Sequence, residues 1–269
     1  MAGHSKWANI KRQKARVDAV RGKVFAKRSR EIIVAAKQGG GDPDGNFQLR
    51  TAIDKAKAAG FPNDNIDRAI AKGCGQLAGE GDFEAIRYEG YGPGGVAVLI
   101  EALTDNRNRA AADLRSAFGK NGGNLGETGC VGWMFDQKGV VTLVGAIAEE
   151  SLFEAALEAG AETYELLEEV DADTPGAEVF CDAADLERVS SALRAKAYDV
   201  REVDLRWIPS NTVKVDEPDL AASLLKMMDA LEESDDVQSV TANFDMTEEA
   251  MEEVLASSSQ SHFSIGYGQ

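Results

Sequence analysis

Residues 138–208, KGVVTLVGAIAEESLFEAALEAGAETYELLEEVDADTPGAEVFCDAADLERVSSALRAKAYDVREVDLRWI, decide the fold. Residues 140–144 are a β-branched, aliphatic run suited to a buried strand. Leu152, Phe153, Ala156 and Leu157 recur at helical spacing, and Gly160 ends that helix. Two strands, 164–170 and 177–181, flank a turn expected at Asp173-Thr174-Pro175-Gly176. Leu186, Val189, Ser190, Leu193 and Ala197 then mark a second helix, and Val203, Leu205 and Trp207 alternate on a last strand. The order βαββαβ is the split-βαβ, ferredoxin-like arrangement.

Two half-modules flank this one. Upstream, residues 96–103 read as a buried strand, Thr104-Asp105-Asn106 as a helix cap, and Ala110, Ala111, Leu114, Ala117 and Phe118 as a helix face. Gly122 and Gly123 close that helix, and residues 132–135 read as a strand leading away. Downstream come a strand at 212–215, a helix carrying Leu220, Ala221, Leu224, Leu225, Met228 and Leu231, and a strand ending at 240–244. Each half lacks what the other supplies. Residues 80–137 and 209–246 are therefore expected to form one discontinuous α/β domain, with 138–208 inserted as a third.

Residues 1–77 predict a basic, all-helical domain. A helix starts at Arg21, with Phe25, Ser29, Ile32 and Ala36 on one stripe and Lys23, Lys27, Arg30 and Lys37 opposite. Gly39, Gly40 and Gly41 end it. A second helix from Phe47 buries Leu49, Ala52, Ile53 and Ala56, and a third behind Pro62 carries Ile66 and Ile70. A linker follows up to Gly81, and residues 247–269 are expected to be a flexible tail. The fold class is α+β: an N-terminal three-helix domain followed by two ferredoxin-like α/β modules, the third domain inserted in the second.

Charge divides the chain more sharply than hydropathy does. The whole sequence of 269 residues carries a formal net charge of -17. Residues 1–77 nevertheless hold 16 Lys/Arg against 7 Asp/Glu, and residues 78–269 hold 13 against 39. In the first thirty residues only Asp18 opposes ten basic side chains. An acidic body with a cationic leading segment is the pattern of a nucleic-acid binder. Cys74, Cys130 and Cys181 are odd in number and lack ligand spacing, so reduced thiols are expected and neither a disulfide framework nor a metal site. No run of about 18 apolar residues exists, which with the thiols points to a cytoplasmic protein without a membrane partner.

Other motifs carry weaker chemistry. Gly90-Tyr91-Gly92-Pro93-Gly94-Gly95 lacks the spacing of a phosphate-cradling loop and precedes a strand, so it reads as a turn. His4 has no second histidine beside it, and Trp7 reads either as a base-stacking ring or as an anchor for the arm. Arg107 and Arg109 open a helix where the dipole would favour acids. They read as a secondary phosphate contact or as partners of surface acids. Acid pairs such as Glu232-Glu233 and Asp235-Asp236 read as solvated faces. No nucleophile, base or ligand constellation is visible, so no catalytic residue, cofactor or small-molecule substrate is expected.

GHSKWANIK at residues 3–11, GGGDP at 39–43, Asp64-Asn65-Ile66, TDNRNR at 104–109 and ANFD at 242–245 together resemble the YebC family. That family includes PmpR-type transcriptional regulators and the mitochondrial translational activator of cytochrome c oxidase. The resemblance covers residues 2 to about 246. It implies three domains with the third inserted in the second, a cofactor-free cytoplasmic protein, and a role as a DNA-binding transcriptional regulator. It also implies an alternative, since other members are associated with ribosomes and with translation of difficult peptides.

The expected function is thus a non-enzymatic nucleic-acid-binding regulator of gene expression, with DNA as partner, or alternatively ribosomal RNA on the ribosome. The expected phosphate contacts are Lys6, Lys11, Arg12, Lys14, Arg16, Arg21, Lys23, Lys27 and Arg30, with Arg107 and Arg109 as the secondary set. An enzyme using the Gly90 loop is the minor alternative, and a scaffold binding only proteins is a further class.

Overall fold

The computed structural model describes residues 21–77, 82–171 and 174–247, the side chains of Arg21 and Asp171 excepted. The end of the expected linker, Asp173 of the expected turn and the tail from residue 248 lie outside the described residues. Among the described residues three helices come first: α1 (Arg21–Gly39), α2 (Phe47–Ala58) and α3 (Asn63–Gly73). Antiparallel sheets with packed helices follow, so the α+β class holds. By its backbone contacts the chain forms two compact units. The first gathers described residues up to Arg30, from 82 to 134, and from 209 onward; the second gathers 31–77 and 135–208.

In the second unit, β4 (Phe135–Val144), α5 (Glu149–Ala159), β5 (Thr163–Asp171), β6 (Thr174–Asp182), α6 (Leu186–Ala195) and β7 (Asp199–Pro209) follow in the expected order. Their sheet runs β5-β6-β4-β7, with β4 and β5 each antiparallel to β6. Each helix crossover therefore skips one strand, which is the ferredoxin-like weave. Val141, Leu143, Val179, Leu152, Val189 and Leu193 form its core, against which Phe47 of α2 packs. Lys55 of α2 also pairs with Asp204 at 2.6 Å, and Arg50 with Glu187.

Three local readings are corrected here. Pro175 and Gly176 belong to strand β6, not to a turn. Gly176 is required because a Cβ there would lie 2.1 Å from the Leu143 carbonyl oxygen. Pro175 is tolerated because the ladder shifts register between Leu167 and Asp171, where no amide is demanded of it. Phe153 and Leu157 do not line the inner face of α5; both are exposed, and Leu152, Ala155, Ala156 and Ala159 are buried instead. Residues 132–134 make a 3-10 turn, and the strand begins only at Phe135.

In the first unit, β1 (Glu84–Tyr91) and β2 (Ala97–Thr104) form a hairpin whose turn, Pro93–Gly95, is the glycine-rich motif. Strand β1 is absent from the sequence reading. Its first five residues alternate between partly buried and exposed, and the buried pair that follows is Glu89 and Gly90, so EAIRYEGY offers no apolar run. Helix α4 (Arg107–Lys120), short strand β3 (Asn124–Leu125), β8 (Val213–Lys214), helix α7 (Pro218–Glu232), β9 (Val237–Ala242) and β10 (Phe244–Asp245) complete it. The main sheet runs β3-β1-β2-β9. The expected strand at 212–215 does not join that sheet; β8 pairs in parallel with β10 as a separate ribbon. Both α4 and α7 cover the sheet, enclosing Val98, Ile100, Leu114, Phe118, Leu224, Met228 and Val240. At roughly 25 cal/mol per Å² of apolar surface, such packing is the main stabilising term of each unit.

Candidate nucleic-acid interface

The basic face of α1 repeats at i, i+4 and i+7 through Lys23, Lys27 and Arg30, which places all three on one side of the helix. That side is occupied. The Lys23 ammonium donates to the carbonyl oxygen of Glu233 at 3.3 Å, and that of Lys27 to the carbonyl oxygen of Glu232 at 3.1 Å. Helix α7 ends at this point with no basic residue in its own last turn. Its terminal carbonyls carry the partial negative charge of the helix dipole, and two lysines from 205 and 210 positions away supply the missing cations. One turn further, an Arg30 nitrogen lies 3.5 Å from Asp236, and the guanidinium lies 5.4 Å from the centroid of the Phe83 ring.

Asp236 is the meeting point of the cluster and is only 4% exposed. Its carboxylate accepts from the Thr104 hydroxyl at 3.0 Å and from Arg109 at 3.0 and 3.3 Å. Arg109 also bonds Asp105 at 2.7 Å. The two carboxylates hold the guanidinium pKa well above its ordinary range, and hydrogen bonding from Arg109 pulls Asp105 below the usual carboxylate value. Asn106 caps α4 by accepting from the Arg109 amide at 3.0 Å, and the Thr104 hydroxyl accepts from the Asn106 amide at 3.0 Å. Arg107 is 2.5 Å from Glu84, and the Tyr88 hydroxyl donates to the Arg107 carbonyl at 3.1 Å.

The segment TDNRNR thus has each polar side chain except Asn108 assigned to closing the sheet edge and starting α4. Arg107 pairs with the surface acid Glu84, and Arg109 pairs with Asp105 and the buried Asp236. A cleft of about 650 Å³ remains beside them, lined by Lys23, Arg30, Arg109, Asp113 and Asp235 with Phe83 at its wall. Its mixed charge suits no simple polyanion.

Lys6, Lys11, Arg12, Lys14 and Arg16 lie outside the described residues, as does the side chain of Arg21; His4 and Trp7 do also. Within the described part, the expected contacts Lys23, Lys27 and Arg30 come together on one patch, and Arg109 joins them through Asp236. Arg107 stands apart on Glu84. Sequence reasoning missed Asp236 and Phe83. Asp235-Asp236 reads as a solvated pair, yet Asp235 is exposed while Asp236 is buried. The available signal was its position directly before Val237, the first residue of a buried strand. Glu89 was missed as well: it is 1% exposed and accepts the Val131 and Gly132 amides at 2.8 and 2.7 Å.

Comparison with known proteins places these features in context. The profile described as the TACO1/YebC protein N-terminal domain matches residues 5–76, and that of the TACO1/YebC second and third domain matches residues 83–244. A "probable transcriptional regulatory protein" of Trichodesmium erythraeum is 65% identical over 246 residues, covering 91% of this chain and 96% of the relative. One of Nostoc punctiforme is 66% identical, with 93% and 98% covered. The crystal structure of a conserved hypothetical protein from Aquifex aeolicus superposes with a TM-score of 0.78 at 43% identity, covering 87% of this chain and 94% of that one. No helix among the described residues is long and apolar enough to cross a membrane.

Proposed function

The chain belongs to the TACO1/YebC family, and on that premise we propose that it is a cytoplasmic, non-enzymatic, DNA-binding transcriptional regulator. Its relatives carry the name of probable transcriptional regulatory proteins. The observation that carries the reading is the cationic leading segment, ten basic residues against one acid, on a chain of net charge -17. Phosphate contact is assigned to Lys6, Lys11, Arg12, Lys14, Arg16 and Arg21. Lys23, Lys27, Arg30, Arg107 and Arg109 also contact the protein's own carbonyls and acids, so in this reading they are secondary phosphate contacts.

Domain limits of 1–77, 80–137 with 209–246, and 138–208 are part of the proposal; the two profile matches, meeting between residues 76 and 83, support the first boundary. If six arm residues each neutralise one phosphate, log affinity for duplex DNA falls against log salt with a slope near about -5. Replacing the six by glutamine flattens that slope. A salt-independent affinity in the unaltered protein overturns the proposal.

A second reading, a ribosome-associated translation factor, is favoured by one observation. Lys23, Lys27 and Arg30 of α1 meet the end of α7 and Asp236, whereas a major-groove recognition helix presents such side chains to the bases. Sedimentation of a lysate separates the two. Comigration with ribosomal particles that is lost on arm neutralisation supports translation, and footprinting of one promoter by purified protein supports transcription.

A further inference from the structure

Two aromatic rings of the first unit are held in fixed orientation while remaining open to solvent. Trp133 is 71% exposed and Tyr91 36% exposed. Both donate to one acceptor: the indole nitrogen of Trp133 lies 3.3 Å, and the Tyr91 hydroxyl 3.1 Å, from the carbonyl oxygen of Cys130. Their polar atoms are therefore satisfied internally. What they offer a partner is ring face.

The shared carbonyl is itself anchored. The Cys130 amide donates to the Glu127 carbonyl at 3.2 Å, and the Met134 amide to the Val131 carbonyl at 2.8 Å. Between them, the Val131 and Gly132 amides donate to the buried carboxylate of Glu89. A Cβ on Gly132 would stand 3.1 Å from that carboxylate, so the loop fits closely over it. Burying a carboxylate costs free energy unless several donors meet it. Here the donors belong to the loop that presents Trp133. Single exposed aromatics are ordinary on protein surfaces, but a pre-oriented pair loses little entropy on binding and has the character of an interaction hot spot.

Charge selects the occupant. The described residues of the first unit, 21–30, 82–134 and 209–247, hold 16 Asp/Glu against 12 Lys/Arg, and the turn beside the two rings adds a local acid. Glu127 is exposed in the very turn that carries Cys130, while Arg87 faces Glu89 at 3.6 Å. A phosphate approaching the turn at Glu127 meets a carboxylate. A guanidinium meets both an aromatic face and a carboxylate, and a planar cation stacks on indole better than any other side chain does.

We propose that Trp133 and Tyr91 are the docking point for an arginine-bearing extended segment of a protein partner, with Glu127 as the counter-charge. This goes beyond nucleic-acid binding and stands independently of it. The test is fluorescence polarisation of the full chain with a labelled peptide of alternating arginine and glycine, its lysine counterpart, and a labelled single-stranded oligouridylate.

The arginine peptide binds, the lysine peptide binds more weakly, and Trp133→Ala weakens the arginine peptide by about tenfold. Trp133→Phe restores part of the loss, and Glu127→Gln weakens binding several-fold. Neutralising the arm with glutamine leaves peptide binding intact while removing duplex binding, so failure of one proposal is distinguishable from failure of the other. The assignment is overturned if the unaltered protein does not bind the arginine peptide, if Trp133→Ala binds it equally well, or if only the oligouridylate responds to Trp133→Ala. The exposure of Trp133 makes misfolding of its variants a minor concern, and unchanged thermal unfolding checks it.

Discussion

Arg109 and Asp236 are separated by 127 positions in the chain, and a guanidinium nitrogen of one lies 3.0 Å from a carboxylate oxygen of the other. The contact joins the start of α4 to the approach of β9, and Arg30 of α1 lies 3.5 Å from the same carboxylate.

Removing the charge of Asp236 leaves Arg109 and Arg30 without their common partner. Asp236→Asn is expected to lower stability by about 2–3 kcal/mol, toward the small end for a broken buried pair because Arg109 is half exposed. Denaturant unfolding measures it. A double-mutant cycle with Arg109→Ala is expected to give a coupling energy above about 0.5 kcal/mol, and an additive result would show that the two side chains do not interact.

Lys27 and the arm residues are expected to separate by assay. Lys27→Ala removes a cation from the carbonyl end of α7 and costs about 1 kcal/mol of stability. It leaves the salt dependence of duplex affinity nearly unchanged. Lys11→Gln and Arg12→Gln do the opposite, each flattening the slope by about 0.9 with unfolding unaltered. Reversal of this pattern would move the phosphate contacts from the arm to α1.

Glu89 predicts a pH dependence. Burial raises its pKa, but the amides of Val131, Gly129 and Gly132, with Arg87, more than offset that and bring it below the ordinary value of 4.5. A carboxyl whose folded pKa is depressed contributes stability that is complete above its unfolded value and is lost as pH falls through its folded value. Glu89→Gln is therefore expected to destabilise the protein by about 2 kcal/mol at pH 7. The difference from the unaltered protein should shrink below pH 4.5, and thermal unfolding from pH 7 to pH 3 measures it.

The three thiols are expected to react in order of access. Cys74 is exposed, Cys130 partly buried, and Cys181 fully buried. Burial, assisted by Asp185, Glu162 and Asp182, pushes the Cys181 thiol up to about 11. At pH 8 a thiol reagent should label Cys74 first, Cys130 more slowly, and Cys181 only on unfolding. Mass spectrometry of the labelled chain checks the order; early labelling of Cys181 would contradict its place in the core.

Local periodicity by itself determined helices α1 to α3, the βαββαβ order and many of the buried faces, because apolar spacing is dictated within a few residues of chain. In α1, where five successive residues from Ile32 to Ala36 are buried while Phe25 and Ser29 are only partly so, the expected stripe does not hold. Leu49, Ala52, Ile53 and Ala56 are buried as their spacing requires. The arm's charge and the family motifs were equally legible. Tertiary structure alone decided how the cations of α1 are used. Lys23, Lys27 and Arg30 form a helical stripe whether they face solvent, phosphate or another helix, and their partners lie more than two hundred positions away. It also decided that Asp236 is buried while Asp235 is not, that Pro175 sits in a strand, and that Trp133 and Tyr91 share one carbonyl. Each of these depends on which distant backbone group comes within about 3 Å, and such proximity leaves no periodic trace in the sequence.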